Sequence, residues 1–167
     1  MSEIKTVAVC GAGGTMGAGI AIVAARAGMK TIAFDRSAEG LERARTQIDG
    51  FFGKSVARGK MSAEEKDKAM ANLVVSTELS ALAEADMVIE AVFEDLAVKR
   101  ALLADLNGIC PAHTIFASNT STLSITEIAS GCGREDKVVG MHFCLPAQLM
   151  KLIEMSPGVN TSDETFR

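Results

Sequence analysis

The chain has 167 residues, 48% of them hydrophobic, and a formal net charge of −4 at pH 7. That length is enough for one domain with a packed core, and the mildly acidic balance excludes a nucleic-acid partner. Cys10, Cys110, Cys132 and Cys144 have no C-x-x-C spacing, so they read as reduced packing residues, with no disulfide framework and no metal site expected.

Residues Thr6 to Ala25 carry no charge, which superficially matches a signal peptide or a membrane span. Five glycines, a strand-like start and an immediate turn argue against both, so the expected location is the cytoplasm, away from any membrane. The apolar run Thr6–Cys10 predicts a buried parallel strand. The chain then breaks into glycines and resumes as a helix with Ile20, Val23, Ala24 and Ala27 at a spacing of three and four. Gly28 is placed to stop that helix, and Thr31–Phe34 predicts a second strand ending on Asp35. This is the pattern of a dinucleotide-binding βαβ unit, where glycines let the backbone approach a pyrophosphate resting on the helix N-terminus. Gly11 and Gly13 begin a G-x-G-x-x-G pattern, but Met16 occupies its last place and Gly17 follows one residue late. The spacing reads as a one-residue insertion absorbed at Gly14 through dihedrals open to glycine. Asp35, about twenty residues beyond the glycines, is expected on the adenosine ribose hydroxyls. Its charge favours NAD over NADP, while the adjacent Arg36 could accommodate a 2′-phosphate.

Ser37 predicts a helix cap, followed by Leu41, Ala44, Ile48, Phe51, Phe52 and Val56 on one face up to Gly59. A second helix opens at Ser62, where Glu65 completes a capping box, and runs towards Leu73. The pair, about residues 37–72, is expected to form a hairpin standing off the sheet, with Lys54, Arg58 and Lys60 at its tip. On charge alone those three cations read as a solvated face.

Leu73–Ser76 predicts a third strand, Leu79–Ala85 a short helical link and Asp86–Val92 a fourth strand, apolar as a strand covered on both faces should be. A helix with Val98, Leu102, Leu106 and Ile109 on one face follows, ending near Gly108 and Pro111. Thr114–Ala117 is the fifth strand, Ser124 and Glu127 cap a short helix, and Lys137–Phe143 and Met150–Met155 are two further strands. Alternating strands and helices without an internal repeat define an α/β fold of Rossmann type, a doubly wound, mostly parallel sheet. Thr161–Glu164 resembles a capping box opening a helix too short to nucleate by itself, so the chain is expected to be the first part of a longer protein.

Ligands of such folds sit at the carboxyl ends of the strands, where Ser118–Ser121 and His142 fall. Glu154 shares a strand face with Met150 and Leu152; buried there, its carboxylate would need a partner, and His142 on the neighbouring strand is the nearer of two histidines. An imidazole held by a carboxylate at a cofactor's rim suits a general base, against the alternative of a hydrogen-bonded core histidine. His113, opening a strand, reads as structural. The absence of tyrosine excludes a Tyr–Lys acid pair, and no H-E-x-x-H supports metal hydrolysis.

Five ordered motifs together resemble the L-3-hydroxyacyl-CoA dehydrogenase family, of the 3-hydroxybutyryl-CoA dehydrogenase type. They are Gly11-Ala12-Gly13, Met16 to Ala21, Val88 to Glu94 (Ala91 within it on the cofactor side), Ala117 to Ser121, and Gly140 to Phe143 with Met150 to Glu154. The resemblance implies an NAD-binding domain followed by an all-helical domain through which the family dimerises. It implies that His142 takes the proton of the 3-hydroxyl, with Glu154 as its orienting partner. Ser121 and Asn119 would meet the substrate oxygen and the nicotinamide end, and Glu94 and Lys99 the nicotinamide ribose. The hairpin would be a CoA-binding arm, turning Lys54, Arg58 and Lys60 into phosphate contacts for an acyl-CoA substrate.

Three departures stand out: the extra glycine-turn residue, Leu145 where the family carries an asparagine, and the lack of a helical domain. They lead to the expectation that the chain binds NAD and by itself turns substrate over poorly or not at all. An L-gulonate-type sugar-acid dehydrogenase and a non-catalytic NAD-binding module are the alternatives.

Overall fold

The strands Thr6–Cys10 (β1), Lys30–Phe34 (β2), Leu73–Ser76 (β3), Met87–Glu90 (β4), Ile115–Ser118 (β5), Val138–Phe143 (β6) and Ile153–Pro157 (β7) form one sheet in the computed structural model, which describes residues 3–167. Their order is β3-β2-β1-β4-β5-β6-β7. All neighbours are parallel except β6 and β7, which are antiparallel. The helices are Thr15–Arg26 (α1), Ala38–Ala57 (α2), Ala63–Ala71 (α3), Leu96–Asn107 (α4), Ile125–Ala129 (α5) and Asp163–Phe166 (α6), with a 3₁₀ turn at Leu79–Glu84.

The two faces of the sheet follow from strand alternation. Val7, Val9, Met87, Ile89, Ile115 and Ala117 point to one side, where Ile20, Ala21, Ile48 and Phe52 cover them. Ala8, Cys10, Val88 and Phe116 point to the other, against Leu102, Leu103, Leu106 and Ile128. Both faces are therefore dry, and the central strands β4 and β5 are apolar except where they reach the carboxyl end of the sheet at Glu90 and Ser118.

The hairpin of α2 and α3 is less detached than expected. Ile48 and Phe52 are fully buried and, with Ala69, belong to the same cluster as Val7 and Val9. Each such side chain contributes about 1.5–3 kcal/mol by leaving water, so the hairpin's base is anchored and only its end projects. The caps form as anticipated: Ser37 Oγ accepts from Gly40 N at 3.0 Å, and Ser62 and Glu65 make a reciprocal capping box. Gly59, at φ +67°, reverses the chain after α2.

Several elements differ from expectation. β4 ends at Glu90 rather than Val92, since its pairing with β1 runs out at Cys10 and Glu90. On α4, Val98 is 44% exposed and Ile109 lies beyond the Gly108 C-cap; the inner face is Lys99, Leu102, Leu103 and Leu106. β7 begins at Ile153 instead of Met150, because the preceding residues fold over α1, where Ala147 packs into the core and a Cβ at Gly19 would meet Ala147 Cβ at 3.1 Å. The final single-turn helix does form, held by tertiary contacts. Thr161 Oγ1 donates to Val138 O at 2.6 Å, Ser162 N to Asp136 O at 3.0 Å, and Thr165 is buried. No helix among the described residues is long and apolar enough to cross a membrane, and the uncharged stretch Thr6–Ala25 is β1, a glycine turn and most of α1.

Candidate active site

The glycine turn joins β1 to α1 at the carboxyl end of the sheet. Gly11 adopts φ +79°, and a Cβ there would lie 2.6 Å from Ala91 O, so only glycine fits where this turn meets the end of β4. Gly14 has φ −86° and ψ 164°, ordinary extended backbone that any residue adopts. The extra residue is therefore not absorbed at Gly14 by unusual dihedrals; the left-handed position is Gly11. A Cβ on Gly17 would lie 2.1 Å from Gly11 O, so the first turn of α1 rests directly on the loop beneath it. Gly17→Ala is expected to force α1 off the turn. By the usual cost of overpacking, about 1–3 kcal/mol, the melting temperature should fall by roughly 2–12 °C and NADH binding should weaken with it. Unchanged melting would show that the turn yields freely.

The N-terminus of α1 differs from the other helix starts. Ser37, Ser62, Asp95, Ser124 and Ser162 each cap a following helix through a side chain, whereas the N-cap of α1 is Gly14, which offers none. The free N–H groups and the positive end of the helix dipole are thus open to a phosphate group. Asp35 lies at the end of β2. Its Oδ2 accepts from Gly13 N at 2.9 Å and its Oδ1 from Ser37 N at 2.9 Å, tying the glycine turn to the start of α2. Arg36 beside it is exposed.

A cleft of about 480 Å³ opens beyond α1, lined by Met16, Ala91, Glu94, Lys99, Asn119, Ser121 and His142 from the expected set. Val92, Phe143, Cys144 and Leu145 complete its wall. Cys144 thus differs from the other three cysteines, which are buried packing groups. Leu145 is 63% exposed. Asn119 Oδ1 accepts from Phe143 N at 2.8 Å, so this side chain holds the end of β6 against the end of β5.

Beneath the cleft lies a buried polar network. Lys99 Nζ donates to both Glu90 oxygens at 2.9 and 2.8 Å, and stands 4.0 Å from Glu94 Oε2. Ser118 Oγ donates to Glu90, Val92 N donates to Glu90 Oε2 at 3.2 Å, and Thr120 Oγ1 donates to Glu94. Burial pushes the Glu90 carboxyl up, and the Lys99 ammonium beside it opposes that shift. Glu90 is not among the site residues expected from the sequence, where it lies inside the predicted strand Asp86–Val92. The available signal was a lysine falling on the inner face of α4 with no aqueous outlet.

His142 and Glu154 are directly paired partners across β6 and β7. His142 Nδ1 lies 2.7 Å from Glu154 Oε2. The reason is not the one anticipated. All of β7 is exposed, and the Glu154 side chain is 62% exposed rather than buried beside Met150 and Leu152. Antiparallel register brings the two groups together, not an obligation to neutralise a buried carboxylate. With Nδ1 engaged, Nε2 is the ring nitrogen left for a second partner.

Lys54, Arg58 and Lys60 are exposed around the end of α2 and do not line the cleft. His113 pairs with Asp86 at 3.1 Å at the opposite, amino end of the sheet, beside a hollow of about 50 Å³. Asp86 also accepts from Lys5 N and Thr6 N, so this pair serves the start of β1.

A parallel sheet whose first helix is left uncapped over a glycine turn, with a carboxylate closing the second strand, is a Rossmann-type dinucleotide-binding domain. The chain belongs to the family of 3-hydroxyacyl-CoA dehydrogenase NAD-binding domains, whose model matches residues 6–167. It is 46% identical over 164 residues to 3-hydroxyadipyl-CoA dehydrogenase of Escherichia coli K12, covering 98% of this chain and 34% of that protein. It is 41% identical over 163 residues to a probable 3-hydroxybutyryl-CoA dehydrogenase of Bacillus subtilis 168, covering 98% of this chain and 56% of the relative. The crystal structure of a 3-hydroxybutyryl-CoA dehydrogenase from Escherichia coli K12 superposes with a TM-score of 0.96 at 45% identity, over 99% of this chain and 35% of the other. The chain thus spans between about a third and just over half the length of these relatives. The cofactor of the family is NAD, and the glycine turn, the uncapped α1 and Asp35 fit it.

Proposed function

We propose that this domain takes part in the NAD-dependent oxidation of an L-3-hydroxyacyl-CoA, 3-hydroxybutyryl-CoA being the type substrate, to the 3-oxoacyl-CoA. The observation that carries the reading is His142 Nδ1 held 2.7 Å from Glu154, on the wall of the cleft that Met16 of α1 also lines. Bound NAD supplies the hydride acceptor for the carbinol carbon. His142 Nε2 removes the hydroxyl proton as that hydride leaves, so the C–O bond becomes a carbonyl and the imidazole ends charged. Glu154 holds the ring's orientation. Ser121 and Asn119 meet the substrate oxygen and the nicotinamide end, Glu94 and Lys99 the nicotinamide ribose, and Ala91 packs against the cofactor. Asp35 takes the adenosine ribose, and the amides of α1 take the pyrophosphate. Lys54, Arg58 and Lys60 contact CoA phosphates, which need cations. The setting is the cytoplasm, and the dimer forms through further protein of the kind that completes the relatives.

A second reading, a non-catalytic NAD-binding module, is favoured by Leu145, an apolar group on the cleft wall where the family resemblance calls for a polar one.

The direct test of the cofactor assignment is NADH titration of the 167-residue chain, followed by fluorescence. Asp35→Ala should weaken NADH by roughly tenfold, equivalent to about 1.4 kcal/mol, and narrow the preference over NADPH. An Asp35→Ala chain that binds NADH as the parent does would remove the ribose contact from the reading. Failure of the parent chain to bind NADH would remove the reading itself.

A further inference from the structure

Among the described residues, Glu90 and Lys99 are the two charged side chains that are buried, at 1% and 0% exposure. An ion pair of this kind is a poor way to gain stability, because well-packed apolar residues of similar size do as well or better. Its position therefore needs another reason. Glu90 stands at the carboxyl end of β4, and its carboxylate accepts four hydrogen bonds: two from Lys99 Nζ, one from Ser118 Oγ and one from Val92 N. Each donor leads to the cleft. Val92 is part of the wall, and Lys99 lies at the floor with its Nζ 3.5 Å from Val92 O. Ser118 Oγ in turn accepts from Thr120 N at 3.3 Å, and the Glu90 backbone carbonyl accepts from Asn119 N at 2.9 Å. One carboxylate thus joins the ends of β4 and β5 and the start of α4 on the side of the sheet where a ligand enters.

We propose that Glu90 is a positioning residue for the nicotinamide half of the cofactor: it holds Lys99, Val92 and the Ser118–Thr120 turn in the arrangement that a bound dinucleotide meets. The proposal rests on the NAD assignment above. Asp35 and the N-terminus of α1 serve the adenosine and pyrophosphate half and share no hydrogen bond with Glu90. Glu90 should accordingly act on one half of the ligand only.

The experiment compares NADH and ADP binding to the full 167-residue chain and its variants, with a thermal melt of each. ADP reaches only the adenosine and pyrophosphate positions. Glu90→Gln should raise the NADH dissociation constant on the order of tenfold while leaving that of ADP within about twofold. Glu90→Asp should fall between parent and Glu90→Gln. Ser118→Ala, which keeps the ion pair, should raise the NADH constant by about threefold without moving ADP. If Glu90→Gln does not fold, Glu90→Asp and Ser118→Ala decide the matter. Unchanged NADH affinity, or equal weakening of both ligands, overturns the positioning role while leaving NAD binding in place. A parent chain that binds ADP but not NADH, or neither, removes the NAD assignment and this proposal together.

Discussion

Replacing His142 with glutamine is expected to lower turnover of acetoacetyl-CoA, followed as NADH absorbance, by about 10²–10⁴-fold, the usual contribution of a positioned general acid or base. The assay belongs in a protein that joins this domain to the additional length its relatives have, since this chain spans only about a third to just over half of them. Glutamine keeps a hydrogen-bonding group near Glu154 but cannot carry a proton. The loss should therefore fall on the rate constant, with NADH affinity within about twofold of the parent, because uniform binding is untouched. Glu154→Gln should cost less, since the imidazole remains and loses only its 2.7 Å partner. A His142→Gln protein that retains activity within a few-fold would leave the non-catalytic module as the better description of this site.

The second large effect is expected at Lys99. Lys99→Met leaves the Glu90 carboxylate buried without its cation. Breaking one partner of a buried pair costs about 3–5 kcal/mol, which for a domain of this size lowers the melting temperature by roughly 6–20 °C. Combining Lys99→Met with Glu90→Gln should restore a large part of that loss, because no uncompensated charge remains. The single variant should also respond to pH in a defined direction. Burial raises the folded-state pKa of Glu90 above its ordinary carboxylate value, and removing Lys99 deletes the effect that opposes this rise. Between the unfolded and the folded pKa the native state holds a proton that the unfolded chain has lost, so stability falls as pH rises through that window. The Lys99→Met deficit should accordingly shrink as pH is lowered from 7 towards 5. A deficit that is flat across this range would mean that removing Lys99 does not change how Glu90 titrates, and the charge coupling between the two would have to be given up.

The parts of the site that were legible in the amino-acid order are those made within one short stretch. The glycine turn and helix that follow β1, the turn from Asp35 to Ser37 and the caps at Ser37 and Ser62 depend on neighbours a few residues away, so their chemistry is written locally. His142, Glu154 and the Ser118–Ser121 run were legible from the residues themselves and Glu94 and Lys99 through the family resemblance; of Glu94, Lys99, Asn119, Ser121, His142 and Glu154, all but Glu154 line one cleft.

What only the tertiary structure decided is how those groups meet. Glu154 reaches His142 through the antiparallel register of an exposed edge strand whose start shifted from Met150 to Ile153, a displacement that apolar patterning cannot resolve when both faces of the strand see water. Lys99 lies on the buried face of α4 because Glu90, on another element, neutralises it there; by polarity alone a lysine belongs outside. The left-handed turn residue is Gly11 rather than Gly14 because the end of β4 presses against it. Composition and spacing by themselves determined the dinucleotide-binding unit and the identities of its chemical groups, because hydrogen bonding and φ preference act over a few residues. Register, burial and charge pairing are set between segments far apart in sequence, and they exist only once the sheet has formed.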